Sequence, residues 1–176
     1  MIRDANLSDV ERILEIYAPY VRSSTATFEY DVPELSAFTQ RFLDITAQFP
    51  WLVWEEDGTI LGYAYASRPF SRAAYSWCAE PTVYLRPEAQ GRGIAAGLYR
   101  ELEKLLLKQG YQVLYALVTE ENVPSVRFHE KQGYKIRAHF PNCGFKFGRW
   151  LGLYWLEKRL KPVEIPDKMP VSWKSL

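Results

Sequence analysis

The segment from Thr82 to Lys108 constrains this chain more than any other. A β-rich run, Thr82-Val83-Tyr84-Leu85, passes through Arg86-Pro87-Glu88-Ala89 into Gln90-Gly91-Arg92-Gly93-Ile94-Ala95, and an amphipathic run starts at once. Leu98, Leu102, Leu105 and Leu106 fall on one face of it and Glu101, Lys104 and Lys108 on the other, which predicts a helix over 94–108 ended by Gly110. Gly91 and Gly93 carry no Cβ, so successive backbone N–H groups can point into one concavity, and the helix start behind them adds unpaired donors and a positive dipole end. Such a cradle suits a pyrophosphate. A plain glycine-rich turn is the alternative, and these residues alone leave both open. The pattern lacks the Gly-Lys-Ser/Thr of a P-loop and the third glycine of the dinucleotide fingerprint.

The remaining elements follow from periodicity and turn residues. Ile2 to Ala5 reads as a first strand, and Ser8-Asp9-Val10-Glu11 has the form of a capping box before a helix that ends near Tyr20, helped by Pro19. A second helix is expected over 34–48, and Asp57-Gly58 turns a hairpin whose return strand covers 60–66. Further strands are expected at 82–85, 113–118, 135–139 and 150–160, with a short helix at 124–132 ended by Gly133. At 176 residues this is one domain, placed at 1–160, followed by an irregular tail, 161–176, holding Pro162, Pro166 and Pro170. The fold class expected is α/β: a mixed, mostly antiparallel sheet flanked by helices.

Composition excludes several functions. Lys plus Arg number 22 against 21 Asp plus Glu, a net charge of +1, so no broad basic face for nucleic acid or anionic lipid is expected. The longest charge-free stretch, Ile45 to Trp54, falls well short of the ~20 residues of a membrane helix, and no signal-peptide pattern follows Met1. Cys78 and Cys143 form no CxxC pattern, and His129 and His139 have no metal-ligand spacing, so neither a disulfide framework nor a metal site is expected, and a reducing cytoplasm is the default. Aromatic residues reach 15%, which suits a ring-rich core, an aromatic-lined pocket or an interface such as Phe140 to Trp155.

Gln90-x-x-Gly93-x-Ala95, after a strand and opening a helix, resembles the pyrophosphate motif of the GNAT superfamily of N-acetyltransferases. Asn122-Val123-Pro124-Ser125, continuing to Gly133-Tyr134, resembles that superfamily's second block. The likeness extends to the phosphinothricin and methionine sulfoximine acetyltransferase branch through Tyr17, Tyr75-x-Trp77-x-Ala79-Glu80-x-Thr82-Val83-Tyr84, Pro124-Ser125-Val126-Arg127-x-His129-Glu130 and Gly144-Phe145-Lys146-Phe147-Gly148-Arg149-Trp150, and covers Ile2 to about Leu160.

The resemblance implies the acyl-CoA N-acyltransferase fold, acetyl-CoA as co-substrate, no metal, and direct transfer to the amine of a small amino acid or analogue such as phosphinothricin, methionine sulfoximine or methionine sulfone. It implies a detoxifying role and a homodimer. Carried over by residue, Val83, Tyr84 and Leu85 would lie along the pantetheine arm, and Gly91, Arg92, Gly93, Ile94, Ala95 and Ala96 would hold the pyrophosphate. Asn122 and Ser125 would meet the arm from the second block, although Asn122 also suits a plain helix N-cap. Glu80 would be the general base, expected just before the cofactor strand, and His129 an auxiliary acid or base. Arg72, Ala73, Ala74, Tyr75 and Phe28 would meet the acceptor, with Glu29, Lys146 and Arg149 as further lining. Pro81 stands where relatives often carry serine, which removes a donor beside Glu80. A peptide N-terminal acetyltransferase and a non-catalytic acyl-CoA sensor are the alternatives.

Overall fold

In the computed structural model, which describes residues 1–176, the chain runs β1 (Ile2–Asp4), α1 (Val10–Ser23), α2 (Leu35–Thr46), β2 (Trp51–Glu56), β3 (Thr59–Ser67), β4 (Cys78–Leu85), α3 (Ile94–Gln109), β5 (Val113–Thr119), α4 (Val123–Lys131), β6 (Lys135–Lys146) and β7 (Arg149–Arg159). The strands form one sheet in the order β1-β2-β3-β4-β5-β7-β6. Only β4 and β5 run parallel; every other neighbouring pair is antiparallel. The β2–β3 hairpin turns on Asp57 and Gly58, both at positive φ (47° and 76°), as a tight two-residue turn between right-twisted strands requires.

Alternation along the strands divides the core in two. Trp51, Val53 and Tyr63 face α1 and α2, where they pack with Ile13, Ile16, Phe38 and Phe42. Leu52, Ala64, Ala66, Leu114 and Ala116 face α3, against Leu98, Leu102 and Leu106. Gly97 has no Cβ because the Trp54 ring lies where one would stand. No helix is long and apolar enough to cross a membrane.

Several boundaries differ from the sequence reading. The capping box is made by Asn6 and Asp9, not Ser8 and Glu11: the Asn6 side chain accepts the Ser8 N–H and the Asp9 carboxylate accepts the Asn6 N–H, both at 2.9 Å, because a 3-10 turn over Leu7–Asp9 starts the helical path early. Asp9 is fully buried and clamped by Arg3 and Arg12. α1 passes through Pro19 to Ser23, carrying Val21 into the core. β4 starts at Cys78, where parallel pairing with β5 begins, so Glu80 lies inside the strand and not ahead of it. β6 continues past His139 to Lys146 because the chain bulges between Phe140 and Gly144, with Asn142 at φ 52°, before pairing resumes.

The last sixteen residues hold a single 3-10 turn (Trp173–Ser175) yet are tied down. The Trp77 indole donates to the Lys168 carbonyl (3.0 Å), the Gln109 amide to the Val171 carbonyl (2.8 Å) and the Trp173 indole to the Thr46 carbonyl (2.9 Å). The tail thus straps the ends of α2 and α3 to the start of β4.

Candidate active site

The parallel pair β4–β5 is joined only at Cys78↔Val113 and Ala79↔Leu114, whereas β4 pairs with β3 from Glu80 through Leu85. Beyond Ala79 the two central strands part. The Arg86 N–H donates to the Leu61 carbonyl (2.8 Å) on β3, which fixes the phase of the strand. Groups of Tyr84 and Thr82 then turn toward β3, and those of Pro81, Val83 and Leu85 toward the gap. Two side chains confirm it: the Tyr99 hydroxyl lies 3.1 Å from the Pro81 carbonyl, and the Tyr20 hydroxyl donates to the Leu85 carbonyl at 2.6 Å. The N–H groups of Val83 and Leu85 and the Val83 carbonyl therefore face the opening.

A cavity of about 720 Å³ runs through this gap. One end is the glycine turn. Gly91 and Gly93 sit at φ 72° and 79°, and a Cβ on either would meet nothing within 4 Å, so their amides border open space. Gly93 is the N-cap of α3 and supplies no side-chain cap, which leaves the first N–H groups of the helix to an outside acceptor. Gln90, Gly91 and Ala95 line the cavity. Arg92 instead pairs with Glu56 (2.7 Å), Ile94 is in the core, and Ala96 does not reach the cavity wall, so any contribution from these three is through the backbone. Asn122 caps α4 through the Ser125 N–H (3.3 Å) while both residues line the cavity, so the cap and the wall are one structure.

The other end is ringed by Tyr17, Phe28, Glu29, Tyr65, Glu80 and Tyr84. Burial alone pushes the Glu80 carboxyl up to about 7. Burial also works against the charge on Glu29, but hydrogen bonds from Arg41 and Tyr17 outweigh it and hold that carboxyl below its ordinary value. Burial pushes the Tyr65 phenol up to about 12. At neutral pH the ring of groups thus holds one fixed anion, neutral phenols and one carboxyl poised to gain or lose a proton.

His129, on α4, also lines this cavity, but both of its ring nitrogens are engaged. Nδ1 lies 2.8 Å from the Ser125 carbonyl oxygen, an acceptor, so Nδ1 carries a proton. Nε2 lies 2.9 Å from the Tyr99 hydroxyl, whose other neighbour is the Pro81 carbonyl. One phenol proton cannot serve two acceptors. With a neutral imidazole it goes to one of them; with an imidazolium, Nε2–H donates to the Tyr99 oxygen and the Tyr99 proton turns to Pro81. Burial lowers the His129 pKa, with the Ser125 hydrogen bond opposing. Tyr99 was not singled out from sequence, although a tyrosine on the leucine face of a helix needs a hydroxyl partner and so carried a signal.

Arg72, Ala73, Ala74 and Tyr75 are not brought to the cavity. They form an exposed turn before β4, with Tyr75 against Phe70 and Phe70 against Tyr115 and Trp155, on the face of β5 and β7 turned away from α3. Phe28 does line it. No three His, Cys, Asp or Glu side chains are grouped to hold a metal ion.

The family described as Acetyltransferase (GNAT) domain matches residues 2–155. A phosphinothricin N-acetyltransferase of Streptomyces viridochromogenes is 34% identical over 149 residues, covering 85% of this chain and 81% of that protein. An L-methionine sulfoximine/L-methionine sulfone acetyltransferase of Pseudomonas paraeruginosa is 34% identical over 167 residues, covering 92% and 95%. The crystal structure of a GNAT superfamily phosphinothricin acetyltransferase from Sinorhizobium meliloti in complex with AcCoA superposes with a TM-score of 0.91 at 32% identity, covering 96% of this chain and 93% of that one. With the parted central strands and the open glycine cradle already in place, these matches establish that the chain belongs to the GNAT family of acetyltransferases.

Proposed function

We propose that this acetyltransferase moves the acetyl group of acetyl-CoA to the primary amine of a small amino acid or analogue of the phosphinothricin, methionine sulfoximine or methionine sulfone kind. The observation that carries the reading is the place of Glu80, a half-buried carboxyl that lines the same cavity as the glycine cradle and that burial pushes up to about 7. The residues fit acetyl-CoA. The cradle is open where a Cβ would stand, and the N–H groups of Val83 and Leu85 offer strand-like pairing to amides of an extended arm. When bound, the thioester supplies the acyl group; everything else is done by the chain.

An α-amino group with a pKa of ~7.7–8.0 is mostly protonated at neutral pH and cannot attack until a base takes a proton. Glu80 does so, and a base whose pKa is close to the working pH combines availability with strength. A free N–H of β4 stabilises charge developing on the carbonyl oxygen. Tyr99 lines the cavity beside His129, whose neutral ring carries its proton on Nδ1, and the phenol proton of Tyr99 passes to the sulfur of the departing coenzyme A thiolate. Tyr99→Phe is therefore expected to lower kcat about 10²-fold with both KM values little changed, the low end of what one positioned proton donor contributes. Steady-state rates with each substrate varied check this, and an unchanged kcat removes Tyr99 from the path.

The homodimer expectation is supported by Phe140, Phe145, Phe147 and Trp150, all exposed on β6, β7 and their turn, and sedimentation equilibrium should give the mass of two chains. Cys78 and Cys143 are free thiols, in keeping with a cytoplasmic setting. The test of the reaction is a thiol-release screen with acetyl-CoA against all amino acids and the three analogues. Turnover concentrated on the analogues or on a few amino acids supports the reading; no thiol released with any amine overturns it.

A further inference from the structure

The hairpin tip Gly144–Arg149, where β6 passes through Phe147-Gly148 into β7, has no part in the chemistry above, yet Gly144, Phe145 and Lys146 all touch the 24–30 loop and Arg149 reaches it through Glu121. Gly144 lies under the Phe28 ring, which occupies the position of any Cβ there. The Phe145 carbonyl accepts the Tyr30 hydroxyl. Lys146, only 3% exposed, donates through Nζ to the Ser24 and Thr27 carbonyls, both at 2.8 Å. Arg149 holds Glu121, whose carboxylate accepts the Thr25 hydroxyl at 2.8 Å. The turn itself is tight, with Phe147 and Gly148 at φ 52° and 73°.

Lys146 is the informative member. A buried ammonium is costly, and this one has no carboxylate in contact; two carbonyl oxygens are its only hydrogen-bond partners. A hairpin held by packing would be served as well by methionine. The carbonyls belong to the 24–30 loop, whose Ala26, Thr27, Phe28 and Glu29 form a wall of the cavity. Glu29 accepts the Tyr17 hydroxyl, Tyr17 packs on Tyr84, and Tyr84 and Glu80 project from the same face of β4, which puts Glu29 at the Glu80 end of the cavity.

We propose that the Gly144–Arg149 hairpin tip is a clasp that sets the acceptor wall, with Lys146 a positioning residue that fixes which side chains the acceptor may carry while leaving acetyl-CoA binding alone. The assignment of that wall to the acceptor rests on the function proposed above.

The test uses full-length Lys146→Met, Lys146→Arg and Gly144→Ala, with the best acceptor from the thiol-release screen. Lys146→Met is expected to raise the acceptor KM about tenfold, while the acetyl-CoA KM stays within about twofold. Lys146→Arg recovers part of the loss. Gly144→Ala, which displaces Phe28 without touching any charge, changes the order of preferred acceptors. Chymotryptic cleavage at Phe28 and Tyr30 gives a readout independent of turnover, and Lys146→Met accelerates it. An acceptor KM unchanged in folded Lys146→Met and Gly144→Ala, or both KM values rising together, overturns the clasp. If the wild-type protein acetylates no amine, the proposed function fails by itself; cleavage then decides the clasp, and an unchanged rate overturns it.

Discussion

Glu80→Gln lowers kcat/KM at pH 7 by about 10²–10⁴-fold, the usual contribution of a positioned base. The amide keeps the size and planarity of the carboxyl but cannot accept the proton of the incoming amine. The wild-type rate should rise with pH through about 7, as Glu80 ionises, and the variant should lose that limb. Above pH 9 the gap narrows, because free neutral amine no longer needs the base. Stability moves the other way. The folded pKa of Glu80 lies above the ~4.3 of an unfolded chain, so the unfolded state sheds this proton first. The folded state therefore holds its full relative stability below about pH 4 and loses it as pH rises to about 7. Glutamine bears no charge to bury, and the variant should gain up to about 3 kcal/mol at pH 8. A thermal melt beside the rate profile separates a lost base from a damaged fold; equal rates for both proteins at every pH would remove Glu80 from the mechanism.

Val83→Pro is expected to weaken coenzyme A binding about 10–100-fold, measured by titration calorimetry. The substitution removes one N–H, and that N–H faces the gap between β4 and β5 and makes no bond to β3. Pro81 shows that this side of the strand accepts a pyrrolidine ring, so the melting temperature should change little. An unchanged affinity in the folded variant would mean that main-chain pairing along β4 does not hold the arm.

Much of this was legible in the sequence, for identifiable reasons. The helix over 94–109 announced itself because leucines at its spacing meet a flat sheet, and Gly110, at φ 104°, ended it as expected. The hairpin at Asp57-Gly58 was equally plain. What escaped were features made by partners distant in sequence. The start of β4 at Cys78 depends on two rungs with Val113 and Leu114. The reach of β6 depends on a bulge at Pro141-Asn142-Cys143-Gly144, residues that read locally as a turn ending the strand. In the site, Glu80, His129, Asn122 and Ser125 were found through motif likeness and do line one cavity, whereas the Arg72–Tyr75 turn was expected there and lies elsewhere. Tyr99 was hidden in a helix face that reads as core, because its hydroxyl serves a carbonyl and an imidazole from other elements. Lys146 was expected to line the acceptor pocket and does not: its ammonium is buried against the Ser24 and Thr27 carbonyls, which nothing around it in sequence signals.

Below the second rung between β4 and β5, the sheet is two slabs, β1 to β4 and β5 to β7, meeting along a short seam. A guest lying in the opening does more than wait there to react. A guest that lent its own amides to the edge of one slab would work as mortar, so the filled protein should be the stiffer one, and release of the spent guest should be felt as a loosening of the whole joint.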